Sequence, residues 1–324
     1  MTELLGHDHV KQHLARIAVA QSPAHAYLFL GPAAVGKYGV ARWFVQSLLC
    51  TGEARPCGVC KSCRTLADAN HPDLQVLQPL DGKTTIAVEQ VRTAISFFNT
   101  RPYAGAFKAL IIRDGRHLGT EAQNALLKTL EEPPPFGLIL MLAEREEDVL
   151  ETILSRCQTV RFGLLSDAEI LPLIEARKLP PLEAFLLKHR YGGRIGALTA
   201  ALAETETGSA TRTEAFLGWA RQFAEAPHGR LRYLAGMGLS EYEPARALLA
   251  DWIAYLKVLN ALRDASAAPP DLPDSLPRLM RALSVRDNMR LTADLLQLQS
   301  ELKPGMNYLL QVEQALLSFP MIEV

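Results

Sequence analysis

Four cysteines lie close together in the stretch CTGEARPCGVCKSC, at Cys50, Cys57, Cys60 and Cys63. The two-residue gaps let neighbouring thiolates converge on one ion, and in a reducing compartment this spacing favours a metal site over disulfide bonds. Four sulfur ligands complete the tetrahedral shell of zinc and leave no open position, so the site would be structural. The sequence therefore predicts a zinc site, with a group of reduced thiols that bind no metal as the alternative.

A glycine-rich loop follows an apolar stretch in YLFLGPAAVGKYGV, and Gly31, Gly36 and Lys37 have the spacing of a phosphate-binding loop. In a working loop of this kind, backbone N–H groups surround the β-phosphate, the lysine reaches the β and γ oxygens, and a following hydroxyl binds Mg²⁺. Here the hydroxyl position is Tyr38, whose phenol oxygen lies too far from the backbone to replace a threonine. The pattern predicts descent from a nucleotide-binding loop. It leaves ATP or ADP binding open and does not favour hydrolysis.

The acidic residue that should help to hold Mg²⁺ at the end of a later strand is also missing. The stretch KALIIRDGRHL offers Arg113 and Asp114 at that place. A guanidinium beside the metal position would repel the cation. Asp114 could act one position late, or both residues could be ordinary surface residues at a strand end. Two defects in one metal site predict that the chain does not hydrolyse ATP.

The first half of the chain alternates strands and helices, which predicts a parallel sheet with helices on both faces. KALIIRD is apolar on both faces and is therefore expected in the middle of the sheet. In this architecture ligands bind at the carboxyl ends of the strands, where the loop after Leu30 lies. The predicted strands are 27–30, 74–77, KALIIRD, GLILMLAE and QTVRF; the predicted helices are 37–49, 88–98, one from about Thr120 to the prolines at 133–135, and ETILSRC.

From Ser166 the sequence has no strand candidate and reads as helices. The polar stretch ETETGSATRTE, at about 204–214, is the best candidate for a linker. These patterns predict an α/β domain over 1–164 with the cysteine module at about 50–63, a small helical domain over 165–207, and a larger helical bundle over 208–324.

Composition limits the classes of function. The 324 residues are 48% hydrophobic with a net charge of -1, which suits two or three globular domains and gives no general attraction to DNA or anionic lipid. No apolar run approaches the roughly 18 residues that a membrane span needs. The N-terminus opens on an amphipathic helix pattern without a signal peptide, so we expect a cytoplasmic protein.

Two longer motifs indicate a specific protein family. The stretch NALLKTLEEPP, from Asn124 to Pro134, together with ILSRC, from Ile153 to Cys157, resembles the clamp-loader branch of the AAA+ proteins. The cysteine cluster after the loop helix and the HAYLF stretch before the loop are part of the same resemblance. It covers the first half well and fits the three-part plan. It implies an AAA+ α/β domain, a helical lid domain and a helical collar that holds subunits in a ring.

The resemblance also places the family's ATP-handling residues on this sequence, and they are altered together. The hydroxyl that binds magnesium falls at Tyr38, the magnesium aspartate at Arg113, the catalytic glutamate at Asp114, the γ-phosphate sensor at Ala143 or Glu144, and the lid arginine at Ile195, with Arg194 one place away. This pattern resembles clamp-loader subunits that keep the fold but not the catalysis, rather than the ATP-hydrolysing gamma/tau subunits.

One family residue is kept. Arg156, which follows Ser155 in SRC, matches the arginine that clamp-loader subunits insert into a neighbour's ATP site. An arginine suits this role because its planar, permanently charged guanidinium can bind two phosphate oxygens. The alternative is a local ion pair with an acid such as Glu151 or Asp148.

The resemblance implies gamma/tau and delta subunits, the sliding clamp and primed-template DNA as partners in an assembled complex, and no membrane. Two other functions stay open: an active gamma/tau-type ATPase, and a zinc-bearing DNA-binding module with a vestigial loop. Lys128 and the pair Glu131 and Glu132 would be a solvated face or a contact to DNA or the clamp. We expect His7, His9 and His13 to be scattered surface residues.

Overall fold

The computed structural model describes residues 4–68, 70–80, 83–203, 205–224, 241–264, 269–273, 275–303 and 305–317. Its five strands form one sheet, and every strand lies within a residue or two of its predicted position. They are β1 (Ala26–Leu30), β2 (Leu74–Leu77), β3 (Lys108–Ile112), β4 (Gly137–Ala143) and β5 (Gln158–Arg161).

All pairings in the sheet are parallel, in the order β2-β3-β4-β1-β5. The strand from KALIIRD is β3, and it lies between two partners as its apolar sequence predicts. Its five residues are all buried. The edge strands β2 and β5 are less buried, because each has a partner on one side only.

Helices cover both faces of the sheet, which confirms the predicted α/β class. In the first 165 residues they are α1 (Asp8–Ala20), α2 (Lys37–Leu49), α3 (Lys61–Ala67), α4 (Val88–Ser96), α5 (Thr120–Glu131) and α6 (Glu151–Leu154). Side chains of α1 and α2 pack with Tyr27, Phe29 and Ile111 on one face. Side chains of α4 and α5 pack with Leu28 and Leu110 on the other. Successive strand residues alternate between these two cores, as the pleat requires.

The rest of the described chain is helical, as predicted. The helices are α7 (Asp167–Glu175), α8 (Pro181–Tyr191), α9 (Ile195–Ala203), α10 (Thr205–Ala224), α11 (Tyr242–Asp264), α12 (Ser275–Ala282), α13 (Val285–Glu301) and α14 (Tyr308–Leu317). A third apolar cluster, with Trp219, Trp252 and Leu291 among its members, joins α8, α10, α11, α12, α13 and α14.

The predicted linker is wrong. The stretch ETETGSATRTE lies almost entirely within α10, apart from residue 204, which is outside the described residues. Serine, threonine and glycine are weak helix formers. The same helix carries Phe216 and Trp219, which are buried in the third apolar cluster. Tertiary packing of an apolar face therefore outweighs local propensity here.

The chain forms two compact units, one of Met1–Glu169 with Gly193–Ala197 and the other of Ile170–Gly192 with Leu198–Val324. The finer boundaries at residues 164 and 207 stay a prediction. Within the described part of the chain, no helix combines the length and apolar character needed to cross a membrane.

Candidate functional site

The four clustered cysteines converge as the spacing predicts. Their sulfur atoms all lie within 4.8 Å of one another, and none is in a disulfide. Two of the sulfur pairs, Cys57 with Cys63 and Cys50 with Cys60, are 4.0 Å apart. A tetrahedral ion with metal–sulfur bonds of about 2.3 Å would set its sulfurs about 3.8 Å apart. The arrangement could hold a metal ion of that size.

Backbone groups around the cluster also suit thiolate ligands. The N–H groups of Gly52 and Cys57 each donate to Sγ of Cys50 at 3.3 Å, and the N–H of Cys60 donates to Sγ of Cys57 at 3.3 Å. The Cys60 N–H and that of Val59 lower the pKa of the Cys57 thiol. Gly52 is required for space, because a Cβ there would lie 2.9 Å from Sγ of Cys57. These donors compensate negative charge on sulfur, as second-shell groups do in metal sites.

The phosphate-binding loop has its predicted place between β1 and α2, and its lysine is turned onto the loop itself. Lys37 is only 8% exposed, and its Nζ donates to the carbonyl oxygens of Gly31 at 2.5 Å and Pro32 at 2.7 Å. Burial lowers the pKa of the Lys37 ammonium, against the opposing field of Glu144 and Asp114. Gly36 precedes the helix with φ 97°, a conformation that favours glycine.

Tyr38 and Arg113, two of the altered positions, contact each other. The guanidinium carbon of Arg113 lies 4.5 Å from the centre of the Tyr38 ring, a cation–π contact. The same guanidinium donates through Nη1 to Oε1 of Gln78 at 2.7 Å. The two side chains therefore stabilise each other, at the two positions where the sequence analysis predicts that a working site would have a hydroxyl and an acid.

Both acids near this position are paired with Arg116, a residue that the sequence analysis did not single out. Its Nη2 lies 2.6 Å from Oδ2 of Asp114 and 2.7 Å from Oε1 of Glu144. Burial opposes ionisation of Asp114, yet the hydrogen bonds from Arg116 hold its pKa below the usual value. The sequence signal for this pairing is only that an arginine follows two residues after Asp114. Since one guanidinium is paired with both carboxylates, neither is left as an obvious ligand for Mg²⁺.

The residue at the predicted position of the lid arginine, Ile195, makes an apolar contact with the loop. Ile195 is buried, and its Cγ2 lies 3.1 Å from where a Cβ on Gly36 would be. The N–H of the next residue, Gly196, donates to the carbonyl oxygen of Ala34 in the loop at 2.7 Å. Arg194 is exposed. An isoleucine that packs on the loop brings no positive charge to it.

Of the three N-terminal histidines, His7 is not a surface residue. It is 3% exposed, its Nε2 lies 2.7 Å from the carbonyl oxygen of Val35, and its ring packs edge-on against Phe162 at 5.0 Å. It thus fixes the start of the chain to the phosphate-binding loop. His9 and His13 are exposed, as predicted.

Arg156 lies in the turn between α6 and the edge strand β5, and its side chain is 35% exposed. Its Nη1 donates to the carbonyl oxygen of Thr152 at 2.9 Å and to Oγ of Ser155 at 3.3 Å. Its Nη2 forms an ion pair of 2.8 Å with Glu131 at the end of α5. The acids suggested by the sequence, Glu151 and Asp148, are not its partners among the described residues.

Family and relative comparisons agree on the first half of the chain. Residues 6–166 match a family model described as "DNA polymerase III, delta subunit". The chain is 38% identical over 165 residues to DNA polymerase III subunit delta' of Pseudomonas aeruginosa, over 50% of each chain. It is 34% identical over 165 residues to subunit delta' of Bacillus subtilis, over 51% of this chain and 50% of the relative.

Tau and gamma subunits of DNA polymerase III are also similar to this chain. The chain is 37% identical over 157 residues to DNA polymerase III subunit tau of Escherichia coli, over 48% of this chain and 24% of the relative. A solved gamma subunit-related protein of Thermotoga maritima is 18% identical, with a TM-score of 0.49 over 97% of this chain and 99% of its own. The matched part spans about half the length of the delta' relatives.

Proposed function

Because the N-terminal half of this chain belongs to the delta' family of DNA polymerase III clamp-loader subunits, we propose that the protein is a non-catalytic clamp-loader subunit. In this role it joins the gamma/tau and delta subunits, helps to load the sliding clamp onto primed-template DNA, and supplies Arg156 to the ATP site of a neighbour. One observation carries the proposal: the side chains at the predicted ATP-handling positions contact each other or the loop, while the guanidinium of the SRC arginine is partly exposed.

The contacts around the phosphate-binding loop support the proposed loss of catalysis. Hydrolysis needs a cation beside the phosphates and an acid that orients the attacking water. Here the Arg113 guanidinium lies over Tyr38, and Arg116 is paired with Asp114 and Glu144. An active gamma/tau-type ATPase would need all of these contacts to be broken. ATP or ADP could bind only if Lys37 left the carbonyl oxygens of Gly31 and Pro32.

The position of Arg156 supports a role in a neighbour's site. It precedes an edge strand, so another subunit can approach it without disturbing the sheet. A guanidinium beside a γ-phosphate stabilises the charge that develops in the transition state, and arginines of this kind contribute about 10³-fold or more to the rate. Ser155 accepts a hydrogen bond from Arg156 and would help to aim it.

We assign the cysteine cluster to zinc as a structural site. The sulfur separations, the N–H donors and the all-sulfur ligand set fit a closed tetrahedral zinc shell. When bound, the ion would join the end of α2 to the start of α3, because Cys50 directly follows α2 and Cys60 and Cys63 flank the first residues of α3. A zinc-bearing DNA-binding module has no comparable support.

The isolated protein is expected to show no magnesium-dependent ATP hydrolysis. The physical reason is that Arg113 lies over Tyr38 and that Arg116 is paired with Asp114 and Glu144, so neither acid is free to bind Mg²⁺. Release of inorganic phosphate by purified wild type, measured against an active gamma/tau subunit, should stay at the background level, and Lys37→Ala should give the same reading. Hydrolysis by wild type that is abolished by Lys37→Ala would instead show a working site and favour the gamma/tau-type alternative.

A further inference from the structure

The guanidinium of Arg156 is held by an acid of its own chain. Its Nη2 lies 2.8 Å from Oε1 of Glu131, and the two side chains are 35% and 51% exposed, so water reaches the pair. We propose that Glu131 is a resting counter-ion, which Arg156 exchanges for the γ-phosphate of the neighbouring subunit. Glu131 is then a positioning residue for the arginine. This inference rests on the proposed function of Arg156.

The geometry of the guanidinium makes the exchange necessary. An arginine can bind an anion in a bidentate way through the edge formed by Nη1 and Nη2 or through the edge formed by Nε and Nη2. Both edges include Nη2, the atom that contacts Glu131. A phosphate on either edge would therefore lie beside the carboxylate, and the two negative charges would repel each other. Nη1 is also engaged, by the carbonyl oxygen of Thr152 and Oγ of Ser155.

The strengths of the two interactions favour the phosphate once ATP is present. An exposed ion pair contributes at most about fivefold to an equilibrium. A bidentate arginine–phosphate contact in a water-poor site is stronger, because charge-assisted bonds gain from two parallel contacts and a lower dielectric. An arginine cannot release its partner by losing a proton. A competing anion is thus the natural way to free Arg156.

The test replaces Glu131 in the complex reconstituted with gamma/tau and delta subunits. Glu131→Gln keeps the size of the side chain and removes its charge. We expect the KM for ATP to fall about two- to fivefold with kcat unchanged, because the γ-phosphate no longer competes with the Glu131 carboxylate for the arginine. Glu132→Gln is the matched control: it changes the same charge one residue away, at an exposed residue with no ion pair among the described residues. It should leave KM at the wild-type value.

Two further readouts separate a counter-ion from a merely structural residue. The difference in KM between wild type and Glu131→Gln should shrink at high salt, because exposed charges are screened. In an Arg156→Ala background, Glu131→Gln should have no further effect, because the pair no longer exists. An effect of the same size in that background would contradict the proposal.

The inference and the proposed function fail in different ways. If Arg156→Ala lowers turnover but Glu131→Gln leaves KM unchanged or raises it, the counter-ion role is wrong and the function stands. If Glu131→Gln lowers kcat as Arg156→Ala does, Glu131 orients the arginine rather than competing for it, and the exchange is again wrong. If Arg156→Ala itself has no effect on turnover, the proposed function is wrong and the inference falls with it.

Discussion

Arg156→Ala is expected to slow ATP hydrolysis at the adjoining site of the reconstituted complex by about 10³-fold, the effect typical of a lost arginine finger. Turnover by the whole complex should fall by the share that this site carries, and loading of the clamp onto primed DNA should fall with it. The physical reason is that the guanidinium stabilises charge that develops only in the transition state. The measurement is steady-state phosphate release together with a clamp-loading assay on the same preparations.

Arg161→Ala is the matched control for this experiment. Arg161 lies at the end of β5, its side chain is 71% exposed, and it is paired with Glu146, so the substitution removes an arginine from the same edge of the sheet without touching SRC. It should leave turnover and loading unchanged. The complex should also assemble normally with Arg156→Ala, as gel filtration would show. Unchanged turnover with Arg156→Ala, or dissociation of the complex as the only defect, would contradict the role in trans.

Loss of one zinc ligand is expected to lower the stability of the protein strongly. In Cys60→Ser the purified protein is expected to lose its zinc, and its free energy of unfolding should fall by about 3 kcal/mol or more, since a structural zinc site contributes directly to folding. For a compact unit of the size that holds the cluster, Met1–Glu169 with Gly193–Ala197, that loss corresponds to a Tm about 6–12 °C lower. Metal analysis and thermal unfolding on the same samples measure both quantities.

Cys157→Ser provides the comparison for this substitution. Cys157 lies outside the cluster, and burial raises the pKa of its thiol to about 11, as expected of an unreactive cysteine. The Cys157→Ser protein should keep its zinc. A chelator should lower the Tm of wild type to the value of Cys60→Ser and leave Cys60→Ser unchanged. Purified wild type that lacks zinc, or a chelator that leaves its Tm unchanged, would favour the reduced-thiol alternative.

The sequence predicts the scaffold of the site well because short-range patterns determine it. The apolar runs of the strands, the glycines of the loop and the two-residue cysteine gaps each act within a few residues of the chain. The prediction that the family's ATP positions are altered also needed only residue types. The structure adds that the substitutions are physically linked, as the contact between Tyr38 and Arg113 shows.

The side-chain partnerships could not be predicted in the same way. Glu131 and Arg156 come from different elements, and long side chains choose partners through rotamers that depend on the whole packing. Arg116 reaches Glu144 for the same reason, across two neighbouring strand ends. His7 looked like a surface residue because a lone polar residue carries no signal of burial, which here comes from its contacts with Val35 and Phe162.

The most direct test of the central claim compares two substitutions in one reconstituted complex. In the proposed function the chemistry of this chain lies in Arg156, and its own phosphate-binding loop contributes none. With gamma/tau and delta subunits present, and folding checked by circular dichroism, Lys37→Ala should therefore turn over ATP like wild type, while Arg156→Ala should show the reduced turnover described above. The reverse result, with turnover lost in Lys37→Ala and kept in Arg156→Ala, would contradict it.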